Sequence, residues 1–332
     1  MSKGEQTHDH AGHVLSGSKL IVPSSHDHKV ERAHFMRLVE KTRPHANLLG
    51  VQVEALDMER AVARVEDALC KHRKGYVCLL GVHGIMEAQR KPSLAAAYAD
   101  ALITIPDGMP AVWVGRWQGH RGMDRVAGPD LMLEIFQRKE FAGYTHFFYG
   151  GKEGIADELS ASFTRRFPWA RIVGTYTPPF RDLSPAEEED FIAIIRDLKP
   201  DIIWVGISTP KQEQFMNRYL PLLETNLMFG VGAAFDFHTG RIQDCAEWIK
   251  RAGLQWFHRL MQDPRHLWRR YLRNNPAFLW QIALQLTGLR QYSTAQAFHA
   301  TEFTQRPARG HANFSQNGIQ PVAVRVQPES VE

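Results

Sequence analysis

Between Ala46 and Gly232, short apolar runs alternate with stretches in which apolar residues recur every three or four positions. The runs are YVCLL (76–80), ALITI (101–105), THFFY (145–149), ARIVGTY (170–176), DIIWVGI (201–207) and NLMFGVG (226–232). Runs of this length, rich in Ile, Val and aromatic residues, suit strands covered on both faces. The stretches between them read as amphipathic helices: KEGIADELSASFTRRF (152–167) places Ile155, Leu159 and Phe163 on one side. Strand and helix in alternation mark βαβ units. The expected fold class is therefore α/β, a doubly wound, mostly parallel, Rossmann-like sheet. Ligands of such sheets bind beyond the carboxyl ends of the strands, so the residues following each run carry the candidate chemistry.

The pattern changes after Asp236, where no further strand is expected and residues 244–290 read as a basic helical appendage to a core spanning 46–243. Lys250, Arg251, Arg259, Arg265, Arg269, Arg270 and Arg273 are interleaved there with Trp248, Trp256, Phe257, Trp268, Tyr271 and Trp280. Such a mixture suits an anionic membrane surface or a phosphate-bearing ligand; ordinary helical packing with a solvated basic face is the alternative. The stripe Trp256, Leu260, Leu267, Leu272 is the part expected to lie on a bilayer. Residues 1–35, with His8, His10, His13, His26 and His28 among Ser, Gly and Asp, read as a disordered polar tail rather than a metal tract. Residues 293–332 read as a second flexible tail.

The 332 residues, 44% hydrophobic and 23% charged, are ordinary globular composition, and a net charge of +4 is too small to indicate a polyanion partner by itself. The three cysteines, Cys70, Cys78 and Cys245, are too scattered for a disulfide framework or a zinc site, which fits a reducing cytoplasm. The polar N-terminus lacks a signal peptide's apolar segment, and no apolar stretch is long enough to span a bilayer.

Four segments carry candidate chemistry. In ITIPDGMPAVW, Asp107 follows a strand. It is either a helix N-cap or a loop carboxylate able to accept a proton from a substrate hydroxyl. Pro110 prefers the first helical position, which makes Met109 the N-cap and leaves Asp107 outside the helix. In GISTPKQEQF, Thr209 and Gln212 fit a capping box with Pro210 at the first helical position. The same helix start, with Lys211, offers N–H groups and positive charge to a phosphate. In YGGKEG, Gly150, Gly151 and Lys152 join a strand to a helix without the spacing of a P-loop or a Gly-x-Gly-x-x-Gly fingerprint. In MDRVAGPDLM, Asp130 suits the dipole of a helix start, and Arg125 is either a surface salt bridge or a phosphate clamp. The chain contains no Asp-x-Asp, His-Glu-x-x-His, Cys-x-x-Cys or Gly-x-Ser-x-Gly. Metal-bridged diphosphate chemistry, zinc hydrolysis and serine hydrolysis lose support accordingly.

The ordered series IPDGMP, RVAGPDL, FYGGKEGIADELSASFTRRFPWARIVGTY, PDIIWVGISTPKQE and GVGAAFDFHTGRI, followed by AEWIKRAGLQWFHRLMQDPRHLWRRYL, resembles the WecG/TagA/CpsF family of bacterial glycosyltransferases. The resemblance implies inverting transfer of a sugar, usually from a UDP-sugar, to a polyprenyl-diphosphate-linked saccharide in surface-polysaccharide synthesis, with no metal and no further cofactor. It implies Asp107 as general base, with Arg125 and Gln212 lining the active site. Arg259, Arg265, Arg269 and Arg270 would reach the lipid diphosphate and the membrane. The enzyme would be peripheral on the inner face of the cell membrane, possible as a homo-oligomer, and without a nucleic-acid partner. LLGVHGIMEA (79–88) resembles the exopolysaccharide branch, with Gly81 and His83 as substrate contacts. Leu80 departs from the polar residue usual before that glycine, leaving His83 as the nearest polar substitute or a buried structural histidine. Rival readings are a basic nucleic-acid-binding protein with a nucleotide-binding sheet and a catalytically idle scaffold of the same family. A nicotinamide-dependent oxidoreductase is disfavoured by the missing glycine fingerprint.

Overall fold

The computed structural model describes residues 43–294 and 325–326. The six expected strands are all present: β3 (Gly75–Leu80), β4 (Ile103–Pro106), β5 (Thr145–Gly150), β6 (Arg171–Tyr176), β7 (Ile202–Gly206) and β8 (Leu227–Gly230). They pair in parallel in the spatial order β4-β3-β8-β7-β5-β6. Successive side chains alternate between faces, so Tyr76, Cys78 and Leu80 join one buried cluster while Val77 and Leu79 join the other. Burial on both sides accounts for the continuous apolar runs.

Two strands precede these. β1 (His45–Leu48) and β2 (Val51–Glu54) form an antiparallel hairpin. Its turn places Leu49 at φ 55° and Gly50 at φ 86°, and two positive central φ values are what a tight two-residue hairpin requires. One strand follows them. β9 (Arg325–Val326) pairs antiparallel with β6, correcting the expectation that no strand comes after Asp236. The two-residue run had no length from which to read a period. The remainder of the C-terminal tail and the His-rich N-terminal tail lie outside the described residues.

Helices cover both faces. On one side lie α1 (Met58–Cys70), α5 (Gly128–Gln137), α6 (Ile155–Arg166) and α9 (Ala234–His238). The opposite side carries α2 (Val82–Ala88), α3 (Pro92–Ala99), α4 (Met109–Trp117), α7 (Pro185–Leu198) and α8 (Lys211–Tyr219), together with the hairpin. Ile155, Leu159 and Phe163 of α6 are buried, as their spacing predicts.

Three helices complete the chain: α10 (Glu247–Arg251), α11 (Gln255–Gln262) and α12 (Pro264–Leu286). The appendage is not wholly separate, because Phe278 and Ile282 of α12 belong to the same buried cluster as α2 and α3. The stripe expected on a bilayer is corrected at Leu267. Leu267 is only 7% exposed, whereas Phe257, Met261, Trp268, Leu272 and Leu279 are all half exposed or nearly so. The helix is turned so that Leu267 meets the protein and its neighbour Trp268 meets solvent. Among the described residues no helix is long and apolar enough to cross a membrane.

Candidate active site

A cleft of about 430 Å³ opens at the carboxyl ends of β4, β3 and β8, roofed by α10 to α12. Its volume lies within the roughly 300–1,000 Å³ of small-molecule sites. Asp107, Arg125, Thr209, Gln212, Gly81 and His83 line it from the core, and Arg259 and Arg270 line it from the appendage. Residues as far apart in sequence as Gly81 and Arg270 thus share one opening.

Asp107 is held by the sheet rather than by a helix. Its N–H donates to the carbonyl of Leu80 at 3.0 Å, extending the β3–β4 ladder by one residue. Gly108, at φ 136°, then turns the chain into α4. The N-cap is Gly108 and not Met109, since Pro110 is accommodated one position further into the first turn. The outcome for Asp107 is the expected one: its carboxylate stands outside the helix. It makes no hydrogen bond or ion pair among the described residues. Removal from water raises its carboxyl above the ordinary value; Arg125 opposes this, Asp130 adds to it, and Arg259 opposes it.

Arg125 is brought beside Asp107 by the backbone, because the N–H of Val126 donates to the carbonyl of Pro106 at 2.9 Å. Its side chain is only 10% exposed, so it is not a surface salt bridge. Nη1 donates to Asp130 Oδ2 at 2.9 Å and Nη2 to Gln255 Oε1 at 3.0 Å, tying the start of α5 to α11. Nε is buried without a partner among the described residues, as is Nε of Arg270. Both guanidinium groups line the same cleft, and their charge suits an anionic ligand.

The turn after β7 differs from the capping box expected of it. The Thr209–Pro210 peptide is cis, α8 begins at Lys211, and the Thr209 hydroxyl donates to Glu213 Oε1 at 2.8 Å and accepts from Gln212 Nε2 at 3.5 Å instead of accepting from a helix backbone N–H. The competing acceptor is a carboxylate one turn along. Gln212 is 2% exposed; its Nε2 donates to Glu213 Oε1 at 3.1 Å and its Oε1 accepts from the N–H of Gly232 at 3.0 Å. His83 accepts from Nδ2 of Asn274 at 3.0 Å through Nδ1 and donates to the Thr209 carbonyl. Burial and the nearby Arg270 hold its imidazole down to about 4, so it is neutral at pH 7.

Other candidates stand elsewhere. Gly150, Gly151 and Lys152 end β5 outside the cleft lining. The glycine at 150 has a packing reason: a Cβ there would meet the Gly206 carbonyl oxygen at 2.6 Å. Lys211 is exposed at the start of α8 and does not line the cleft. Arg265 and Arg269 point to solvent on α12, Arg269 lying 5.2 Å over the Trp268 ring. Lys250, Trp256 and Tyr271 of the basic and aromatic mixture also line the cleft, together with Gln255 and Asn274, which the sequence did not single out; Glu213, equally unmarked, lies behind it. The aromatic and basic composition of the appendage marked the region without showing which side chains turn inward. No three His, Cys, Asp or Glu side chains converge as a metal ligand set among the described residues.

The family described as "Glycosyl transferase WecG/TagA/CpsF family" matches residues 46–292. The chain belongs to that family. It is a glycosyltransferase. Among its relatives is the N-acetylglucosaminyldiphosphoundecaprenol N-acetyl-beta-D-mannosaminyltransferase of Bacillus spizizenii. That protein is 27% identical over 224 residues, which cover 67% of this chain and 85% of the relative. A protein of the same description from Bacillus subtilis is 27% identical over 168 residues, covering 51% of this chain and 63% of the relative. In the glycosyltransferase, the matched span reaches from β1 through α12, so the cleft walls from core and appendage both lie inside it.

Proposed function

We propose that the enzyme transfers a sugar, with inversion, from a UDP-sugar to a polyprenyl-diphosphate-linked saccharide used in bacterial surface-polysaccharide synthesis. The observation that carries this reading is the unpartnered Asp107 carboxylate in the same cleft as Arg125, Arg259 and Arg270. In the proposed step, an acceptor hydroxyl attacks the anomeric carbon while Asp107 takes its proton, and the bond from that carbon to the UDP oxygen breaks. The raised affinity of Asp107 for a proton, caused first by its removal from water, makes it a stronger base than an ordinary carboxylate. The charge left on the diphosphate is met by guanidinium groups rather than by a metal, and Arg125, Arg259 and Arg270, which line the cleft, are suited to that task.

The acceptor class is supported by the names of the Bacillus relatives, which transfer N-acetylmannosamine to an N-acetylglucosaminyl diphosphoundecaprenol. Contact with the membrane face is supported by the exposed Phe257, Met261, Trp268, Leu272 and Leu279 beside Arg265, Arg269 and Arg273. The exopolysaccharide setting rests on the Gly-Val-His-Gly segment at 81–84. The test is incubation with bacterial membranes and a panel of labelled UDP-sugars, scoring label that becomes butanol-soluble. One sugar should be transferred, with its anomeric configuration inverted. Transfer of none, or retention of configuration, would reject the reading.

A further inference from the structure

Glu213 is wholly buried, yet no cation is paired with it among the described residues. Instead a single oxygen, Oε1, accepts from the Thr209 hydroxyl at 2.8 Å and from Gln212 Nε2 at 3.1 Å. The chain of contacts continues on the far side of Gln212, whose Oε1 accepts from the N–H of Gly232 at 3.0 Å. An acceptor at one end of the carboxamide and a donor at the other admit one orientation of the Gln212 side chain. Gly232, at φ 57°, belongs to the segment Gly230, Val231, Gly232, Ala233, Ala234, which walls the cleft beyond β8. On the Thr209 side the network reaches His83 through the Thr209 carbonyl and then Asn274 of α12, so the same buried polar chain spans from cleft wall to appendage.

We infer that Glu213 is a positioning residue, which through Gln212 holds the β8 wall and through Thr209 holds the β7–α8 turn in the arrangement needed for sugar transfer. It does not line the cleft and touches no substrate in this account. The inference rests on the glycosyl-transfer reading above. Removing the shared acceptor strips the Thr209 hydroxyl of its acceptor and leaves Gln212 Nε2 only the longer 3.5 Å contact to Thr209 Oγ1. The Gln212 amide can then turn and release the Gly232 N–H. Replacing it with glutamine keeps one acceptor where both donors need it, because Oε2 has no partner to lose.

The experiment uses the full chain with Glu213→Ala, Glu213→Gln and Gln212→Ala, and the double variant Glu213→Ala/Gln212→Ala. Two readouts are taken: kcat and KM for UDP-sugar in the membrane assay, and amide hydrogen exchange of the peptide containing Gly232. Glu213→Ala is expected to lower kcat at least tenfold with KM for the donor within about threefold, and to speed exchange at Gly232 more than elsewhere. Glu213→Gln should restore both toward the wild type. Once Gln212 is alanine, the Glu213 substitution should cost little more, since the two act as one unit. Losses that multiply in the double variant, exchange that rises uniformly over the fold, or unchanged exchange at Gly232 would overturn the inference. Glu213→Met, similar in volume and without an acceptor, replaces Glu213→Ala if the latter does not fold. Failure of the wild type to transfer any sugar would reject the functional reading alone, with Gly232 exchange still deciding the role of Glu213.

Discussion

Nδ2 of Asn274 on α12 donates to Nδ1 of His83 at 3.0 Å, joining the last helix to the first turn of α2, just after β3. That bond requires an unprotonated Nδ1, and burial, with Arg270 adding, holds the His83 imidazole down to about 4 from 6.5. The unfolded chain therefore takes up a proton first as pH falls. The stability contribution is full above pH 6.5 and is lost as pH falls toward 4. Urea unfolding at a series of pH values should show His83→Asn losing less stability than the wild type across this window. A residual fall should remain from His146, which burial holds down to about 3.

Glu187 accepts both guanidinium nitrogens of Arg181 and the N–H of Ser184. These bonds, Arg181 foremost, hold its carboxyl down to about 2 from 4.5. The sign is that of an acid stabilised in its charged form: the contribution is present above pH 4.5 and disappears as pH falls through about 2. Glu187→Gln should lower the thermal midpoint at pH 7 and leave it nearly unchanged at pH 2.

Gly150 has a packing reason of its own, since a Cβ would collide with the Gly206 carbonyl and φ is 126°. Gly150→Ala should cost about 1–3 kcal/mol in chemical denaturation. UDP affinity of the folded fraction should be unchanged by calorimetry.

The exposed apolar residues of α11 and α12 yield a membrane prediction. Deleting the appendage is not a clean test, because Phe278 and Ile282 are part of the core. Leu272→Glu with Leu279→Glu changes two side chains that are 65% and 66% exposed. The pair should leave the melting temperature within a few degrees and reduce flotation with anionic vesicles severalfold. Wild-type flotation in the double variant would remove this surface from the account.

The sheet was legible because strands buried on both faces leave continuous apolar runs such as YVCLL and DIIWV. The β1–β2 hairpin was not, because its turn is Leu49-Gly50 and a left-handed leucine is not a turn signal; burial of that leucine at 2% exposure holds it there. At the site, Asp107 could be placed outside a helix from Pro110 alone, although the cap proved to be Gly108. Arg259 and Arg270 could not be told from Arg265 and Arg269, because sequence shows that a helix is basic but not how it is rotated against its neighbour. Glu213 was hidden for a related reason: only coordinates show its side chain turned back onto Thr209 and Gln212.

Asp107→Asn tests the central claim most directly. The amide keeps the shape of the carboxylate and cannot take the proton, so kcat for sugar transfer should fall by roughly 10²–10⁴-fold with the protein still folded and still binding UDP. The wild-type acid limb should lie above the usual carboxylate range, as the raised Asp107 proton affinity requires. A wild-type rate in purified Asp107→Asn would contradict the assignment of this carboxylate as the base.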